Sequence, residues 1–219
     1  MFIGHFGVAM AAKRAAPNAS LGLLFLAAQL VDLLWPVFLL LGLEHVRIEQ
    51  GNTLVTPLDF HDYPISHSLV GFVFWSLMLA GITFGFTKQI RMAVVGGLLV
   101  MSHWLLDFVT HRPDLPLAPG VDIKVGLGLW NSLWGTMVIE GVVFGIGALV
   151  YAGATKPVTK IGSVSFWLLI LFLIVVWLAN LLGPPPPDEM TIAIAGNATW
   201  LIVLWGFWTD KNRVSRSGT

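Results

Sequence analysis

The chain of 219 residues contains no cysteine, which excludes disulfides and thiolate metal sites alike. Charge is scarce too. Only 11% of residues are charged, against about 25% in a typical soluble domain. A soluble domain of this length would lack the polar surface to cover itself. Neither sign is in excess, with 12 Lys and Arg against 12 Asp and Glu. The basic footprint of a polyanion binder is missing, so nucleic acid is not an expected partner.

What is there is apolar: 56% of residues are hydrophobic, and the mean hydropathy is +0.81. A helix that crosses a bilayer needs about 20 mostly apolar residues. Six stretches qualify, at 20–43, 65–87, 91–110, 126–152, 163–182 and 190–209. The expected fold class is all-α: a polytopic membrane helical bundle of about six spans. No internal repeat or composition shift marks a second domain, so residues 1–219 read as one integral membrane domain. The linkers carry turn chemistry: Ala16-Pro17-Asn18, the polar stretch 44–64, His111-Arg112-Pro113-Asp114, Lys156-Pro157, and a stiff run from Pro184 to Pro187.

Lys and Arg alternate across these linkers. One side holds nine: Lys13, Arg14, Lys88, Arg91, Lys156, Lys160, Lys211, Arg213 and Arg216. The other holds three, Arg47, Arg112 and Lys124, among acidic residues that include Glu44, Asp59, Asp62 and Asp114. The positive-inside rule then places both termini in the cytoplasm of a plasma (inner) membrane protein, with the acidic loops outside. Residues 1–12 are apolar but too short to span, and their charges follow rather than precede the apolar run. Two placements fit: an interfacial helix, or a half-helix inserted beside the first span with Lys13 to Ser20 as the turn. In the second, His5 lies about 12 Å deep and Asp32 about 18 Å deep at 1.5 Å per residue, and the two can meet.

Few ionisable residues lie inside the spans. They are Asp32 in the first, His67 opening the second, His103 and Asp107 in the third, and Glu140 in the fourth. Each central carboxylate costs about 2.5–3.5 kcal/mol on insertion scales, so three unpaired would rival the stability of a domain. No Lys or Arg lies deep in these spans to pair with them. A divalent cation held by carboxylate and imidazole together removes the difficulty. His103, Asp107 and His111 stand at i, i+4 and i+8 on one helical face. A thiolate-free His and Asp set suits Zn, Mn, Fe or Ni. The simpler readings are a structural His-x-x-x-Asp pair and, for Glu140, a protonated, hydrogen-bonded carboxyl. His45 and His61 read as surface residues. The ten Trp, among them Trp130, Trp134, Trp205 and Trp208, read as interface anchors. The glycines of the fourth span read as close helix packing.

Gly4-His5, Asp32, His67-Ser68 and the run from Ser102-His103 to Asp107 resemble the bacterial membrane-bound metal-dependent hydrolases. That family is also described as LexA-binding inner-membrane hydrolases. The likeness covers about the first half of the chain. The order of ligands is also similar to that of the zinc-dependent phospholipases C and their nuclease relatives. Carried over, His5, Asp32, His67, His103, Asp107 and His111 fit in order, and Glu140 takes the place of the last ligand. Thr136 stands where those enzymes have a His. The resemblance implies Asp107 as a bridging carboxylate, with Asp32, His67 and His103 around one metal. It implies His5 on a second metal, and His111 with Glu140 on a weaker third.

The expected function is that of a membrane-embedded metal-dependent hydrolase. One to three divalent ions, zinc the first choice, would be held by His5, Asp32, His67, His103, Asp107, His111 and Glu140. Asp32 and Glu140 are the candidate catalytic carboxylates, Asp32 orienting water. Helices within 1–152 would carry the site and those within 163–209 would act as scaffold. The site would face the outer surface, so a phosphoester lipid or lipid-linked small molecule is the expected substrate. The alternative is a proton or divalent-metal transporter or channel using the same His/Asp/Glu cluster. Against it, the polar residues stop at mid-depth and no repeat architecture is present.

Overall fold

The computed structural model describes residues 1–216. A short buried helix, α1 (Ile3–Ala12), comes first. A turn at Lys13–Ala19 leads to α2 (Leu21–Ala28), which Ser20 caps by accepting the Leu23 N–H, and to α3 (Leu30–Leu40). The antiparallel strands β1 (His45–Ile48) and β2 (Leu58–Asp62) form a hairpin, and α4 (Pro64–His67) follows as a single turn. Next are α5 (Leu69–Thr87) and α6 (Ile90–Thr110). A small ladder of β3 (Leu115–Pro116) and β4 (Lys124–Val125) leads into α7 (Leu133–Ala154). The chain ends in β5 (Thr155–Pro157), α8 (Lys160–Leu182), α9 (Glu189–Asn197), α10 (Thr199–Lys211) and β6 (Arg213–Ser215), which pairs with β5.

Five stretches are long and apolar enough to cross a membrane: α5, α6, α7, α8 and the nearly continuous α9–α10. The first expected span is instead a pair of helices, α2 and α3, bent by 58° at Gln29, and it makes the sixth if counted as one. The bundle is thus a helical membrane protein, as the sequence led us to expect.

The bend has a use. Pro36 lies inside α3 and offers no N–H to the carbonyl of Asp32, four residues earlier, but it stands well beyond the bend. At the bend itself the backbone leaves helical geometry at Gln29 (φ −107°, ψ 8°). The carbonyl of Ala28 is then free to take a side-chain donor.

α1 packs chiefly on α7, and also on α2 and α6. Its Ile3, Gly4, His5, Phe6, Gly7, Ala9 and Met10 are all buried. Such burial all round explains why a ten-residue helix with no polar face is stable. The approach to α7 needs two glycines: a Cβ on Gly147 would collide with the backbone of Gly7. Gly145 and Gly153 of the same helix border open space, so only part of the glycine content of the fourth span serves packing. Trp134 and Trp208 are exposed, whereas Trp130 is buried under the hairpin.

The basic end of the bundle is closed by a buried clasp. Lys13 Nζ lies 2.7 Å from Asp210 Oδ2 and donates to Ala19 O, and the Tyr151 hydroxyl donates to Asp210 Oδ1 at 2.7 Å. The acidic end is capped by the β1–β2 hairpin, whose Val46 and Phe60 pack with Trp35, Tyr63, Leu115, Trp130 and Ile192.

Candidate metal centre

Each helix delivers its polar residue to one place between α1, α3, α4 and α6. His103 and Asp107, one turn apart on α6, form the floor, with His103 Nε2 at 3.1 Å from Asp107 Oδ2. From α1, His5 Nε2 lies 3.1 Å from Asp107 Oδ1, and its ring stacks on that of His103 at 3.5 Å. From α3, Asp32 places Oδ2 at 3.6 Å from His103 Nε2 and Oδ1 at 3.3 Å from His67 Nε2. Two triads result, His5–His103–Asp107 and Asp32–His67–His103, each with its ligand atoms within 4.8 Å of one another. Atoms about 2.0–2.2 Å from a tetrahedral zinc stand about 3.3–3.6 Å apart. The observed 3.1–3.6 Å contacts bracket that spacing.

Hydrogen bonds outside the cluster orient its rings. His103 Nδ1 lies 2.6 Å from the carbonyl of Ala28 that the bend releases, so Nδ1 carries a proton and the neutral ring turns the Nε2 lone pair to the cluster. Among the described residues His103 Nε2 and His5 Nδ1 are buried atoms without a hydrogen-bond partner. An orphaned imidazole nitrogen beside two carboxylates and two further imidazoles fits a bound cation.

His67 is held by a chain of two groups, Glu44 and Ser66. Glu44 is fully buried; its Oε1 accepts the Ile65 and Ser66 N–H groups at 2.7 and 2.8 Å, and its Oε2 accepts the Ser66 hydroxyl at 2.6 Å. The Ser66 oxygen, having given its proton to Glu44, accepts from His67 Nδ1 at 2.6 Å. In the Nδ1–H tautomer, Nε2 presents its lone pair toward Asp32.

The other expected ligands lie elsewhere. Glu140 Oε2 accepts the backbone N–H groups of Phe2 and Ile3 at 2.9 and 3.1 Å, at the start of α1. A carboxylate there meets unpaired donors and the positive end of the helix. His111 Nδ1 lies 2.9 Å from Asp114 Oδ1, and the His111 ring packs on Trp130. Neither residue joins a triad. Thr136 donates its hydroxyl to Leu129 O. His45 faces Glu189 at the exposed acidic end and His61 lies near the carbonyl of Asp59, surface positions as expected.

Several site residues were not foreseen. Glu44 lies in the polar linker, which the sequence marks only by its charge, and Ser66 lies at the start of the second expected span. The Met1 α-amine donates to Asp107 Oδ1 at 2.7 Å and to Thr110 Oγ1 at 3.2 Å. Tyr63 donates to Asp114, and burial beside that carboxylate pushes its phenol well above the usual value, which keeps it a donor. Arg112 pairs with Asp59 and Asp114 at the rim. The sequence signal available for Glu44 was its place one residue beyond an apolar span, where burial is as natural as exposure.

The cluster opens on a cavity of about 1090 Å³, whose wall includes Asp32, His67, Asp107, His111 and Glu140 at one end. Among the cluster carboxylates Asp32 is the accessible one, with 32% of its side chain exposed. Helices, bend, buried His/Asp cluster and cavity together define a polytopic membrane protein with an interior polar site. Residues 1–183 match the profile of the YdjM inner membrane protein family, and the chain belongs to that family. It is therefore a multi-pass inner membrane protein. Neither a curated protein nor a solved structure shows a significant match.

Proposed function

We propose that this protein is a membrane-embedded metal-dependent hydrolase acting on the phosphoester of a lipid or lipid-linked molecule. The observation that carries the reading is the pair of triads joined at His103, with lone-pair nitrogens oriented by Ala28 and Ser66. His5, Asp32, His67, His103 and Asp107 would hold one or two divalent ions, zinc the first choice. Such an ion lowers the pKa of bound water and polarises a phosphoryl oxygen.

The chain supplies the rest. Asp32, the accessible carboxylate of the cluster, is placed to accept a proton from an entering water. His111, its Nδ1 engaged by Asp114 and kept neutral by burial, lines the same cavity and can accept a hydrogen bond at Nε2 from an entering water or headgroup. The hairpin and the apolar walls limit water to what the cavity admits. With the basic end in the cytoplasm, as the distribution of Lys and Arg suggests, the site faces the outer leaflet. The conduit reading is weaker. Among the described residues no ionisable side chain bridges the distance from the triads to the Lys13–Asp210–Tyr151 clasp, where Phe6, Phe25, Leu24 and Val100 pack.

The test is elemental analysis of the purified protein and of His103→Ala, paired with release of headgroup from vesicle phospholipid. We expect wild type to carry metal and His103→Ala, which removes the shared ligand, to lose both metal and hydrolysis. Wild-type protein that takes up no metal when supplied with zinc refutes the proposal. So does metal-loaded protein that carries the ion across the vesicle wall and hydrolyses nothing.

A further inference from the structure

The cavity is much larger than the cluster needs, and most of it lies elsewhere. It runs from the triads along a cleft between α8 and the α9–α10 span, walled by Trp177, Leu181, Ile192, Leu201, Ile202 and Trp205. The cleft exists because the two spans part company. α10 packs on α8, whereas α9 leans on α3, where Gly196 lets the Pro36 ring lie against the backbone. The outer halves of the two spans are thus splayed.

Three features of this cleft define what it would hold. One end is the His/Asp cluster and the other is apolar, so its occupant has a polar head and a hydrocarbon body. Two wall residues, Phe172 and Leu201, are also 41% and 66% exposed, so the cleft opens sideways toward the bilayer. Finally, the indole N–H groups of Trp35, Trp177 and Trp205 in its wall are buried and find no acceptor among the described residues. A buried indole N–H ordinarily finds one. Pure hydrocarbon would leave all three unsatisfied, whereas the ester carbonyls of a glycerolipid would supply acceptors close behind its phosphate. The volume, at about 30 Å³ for each water-sized group, has room for roughly thirty methylene-sized groups, as in one or two acyl chains.

We propose that the cleft between α8 and α9–α10 binds the acyl chains of a bilayer glycerophospholipid, which enters from the side with its phosphate toward His103. The assignment of the head rests on the hydrolase reading above; that of the chains rests on the cleft alone. The spans expected to be mere scaffold then form half of the binding site.

The experiment uses the full chain in vesicles of phosphatidylethanolamine and phosphatidylglycerol, with a trace of phosphatidylethanolamine carrying a diazirine in one acyl chain. After irradiation, crosslinks are mapped by peptide mass spectrometry. Lipid merely surrounding the protein reaches its exposed faces but not Trp177 or Ile202, which are 8% and 7% exposed. We expect crosslinks on Trp177, Ile202 and Trp205. Ala179→Trp and Ala195→Trp add bulk at exposed positions lining the cleft and should lower those crosslinks several-fold. Val175→Trp, exposed on α8 but outside the cleft, should leave them unchanged. Filling variants that keep the wild-type elution profile and crosslinks would overturn the proposal. Crosslinks confined to exposed faces would do the same, as would displacement by a polyprenyl phosphate but not by diacyl lipid. The two readings fail separately. Interior crosslinks in a protein that never hydrolyses lipid leave the cleft standing without the hydrolase. Hydrolysis of a short-chain soluble phosphoester with exterior crosslinks alone leaves the hydrolase without the cleft.

Discussion

Replacing Glu44 by Gln should disarm His67 without touching it. The carboxylate accepts three donors: two backbone N–H groups on Oε1 and the Ser66 hydroxyl on Oε2. In the Gln variant the amide oxygen must remain on the Oε1 side, because an NH₂ there would face two N–H donors at 2.7 and 2.8 Å. The NH₂ therefore faces Ser66 and donates to it. The Ser66 hydroxyl, no longer able to give its proton to residue 44, gives it to His67 Nδ1 along the existing 2.6 Å contact. Nδ1 becomes an acceptor, the ring proton moves to Nε2, and Nε2 has no lone pair left for the proposed ion. Outer partners of ligating histidines are commonly worth 10–100-fold in metal affinity. That is about 1.4–2.8 kcal/mol at about 1.4 kcal/mol per tenfold.

The assay is competition for zinc between the detergent-purified protein and a chromophoric chelator. Ser66→Ala is the informative control. It removes the link but imposes no tautomer, so its loss should be smaller than that of Glu44→Gln. The ordering is what matters, since Glu44→Ala would strand three donors at about 1–3 kcal/mol each and could weaken binding merely by unfolding the loop. A Glu44→Gln variant with wild-type affinity, or a Ser66→Ala variant that loses more than Glu44→Gln, would refute the relay.

Other substitutions test the frame around the site. Gly147→Ala puts a methyl against the Gly7 backbone and should cost about 1–3 kcal/mol, seen as a lower melting temperature in detergent. An unchanged melting temperature would mean that α1 is not seated on α7. Lys13→Met leaves Asp210 buried without its cation and should cost about 3–5 kcal/mol; Lys13→Met with Asp210→Asn should recover much of it, and thermal melts of the two variants decide. Glu140→Gln keeps an oxygen for the Phe2 and Ile3 N–H groups and should hold wild-type metal content, whereas Glu140→Ala should lower it by loosening α1 and His5. Equal loss in both, measured by elemental analysis, would return Glu140 to the ligands.

The fold was legible because its signals are local. Apolar length matches the expected spans to α5, α6, α8 and α9–α10 within a few residues, whereas α7 begins at Leu133, later than the expected start at 126, because the chain first makes a turn around Trp130. The first was read as one straight span, since Pro36 is tolerated in membrane helices and nothing else in the sequence marks Gln29 as a bend. Yet that bend aims the Ala28 carbonyl at His103, a contact between residues 75 positions apart. Depths of about 12 Å for His5 and about 18 Å for Asp32, counted at 1.5 Å per residue from the turn Lys13 to Ser20, leave room for the two to meet, and in the structure both residues approach His103. The same style of argument fails beyond a helix end. His111 was grouped with His103 and Asp107 by its i+8 spacing, but α6 stops at Thr110, and the extended backbone at His111 (φ −64°, ψ 146°) carries its ring to Asp114 instead.

Glu140 exposes a deeper limit of reading charge in apolar sequence. The premise was that a carboxylate in a span needs a cation or a proton, because lipid offers neither water nor an ion pair. The structure supplies a third partner, the start of another helix. α1 has no side-chain cap of its own, and its first N–H groups would otherwise lie buried and unmet. Carboxylate and helix end each remove the other's penalty. Sequence patterns name charged partners by residue type, but a backbone donor has no residue type, so a pairing between Glu140 and the N–H groups of Phe2 and Ile3 leaves no mark in the pattern. The same blindness hid Glu44, whose partners include two backbone N–H groups. Where a buried carboxylate has no Lys or Arg in reach, metal ligation and helix capping are therefore competing explanations. In this chain the surroundings differ by which element meets the oxygen: imidazole rings around Asp32, imidazole rings and the Met1 ammonium around Asp107, and a helix start at Glu140.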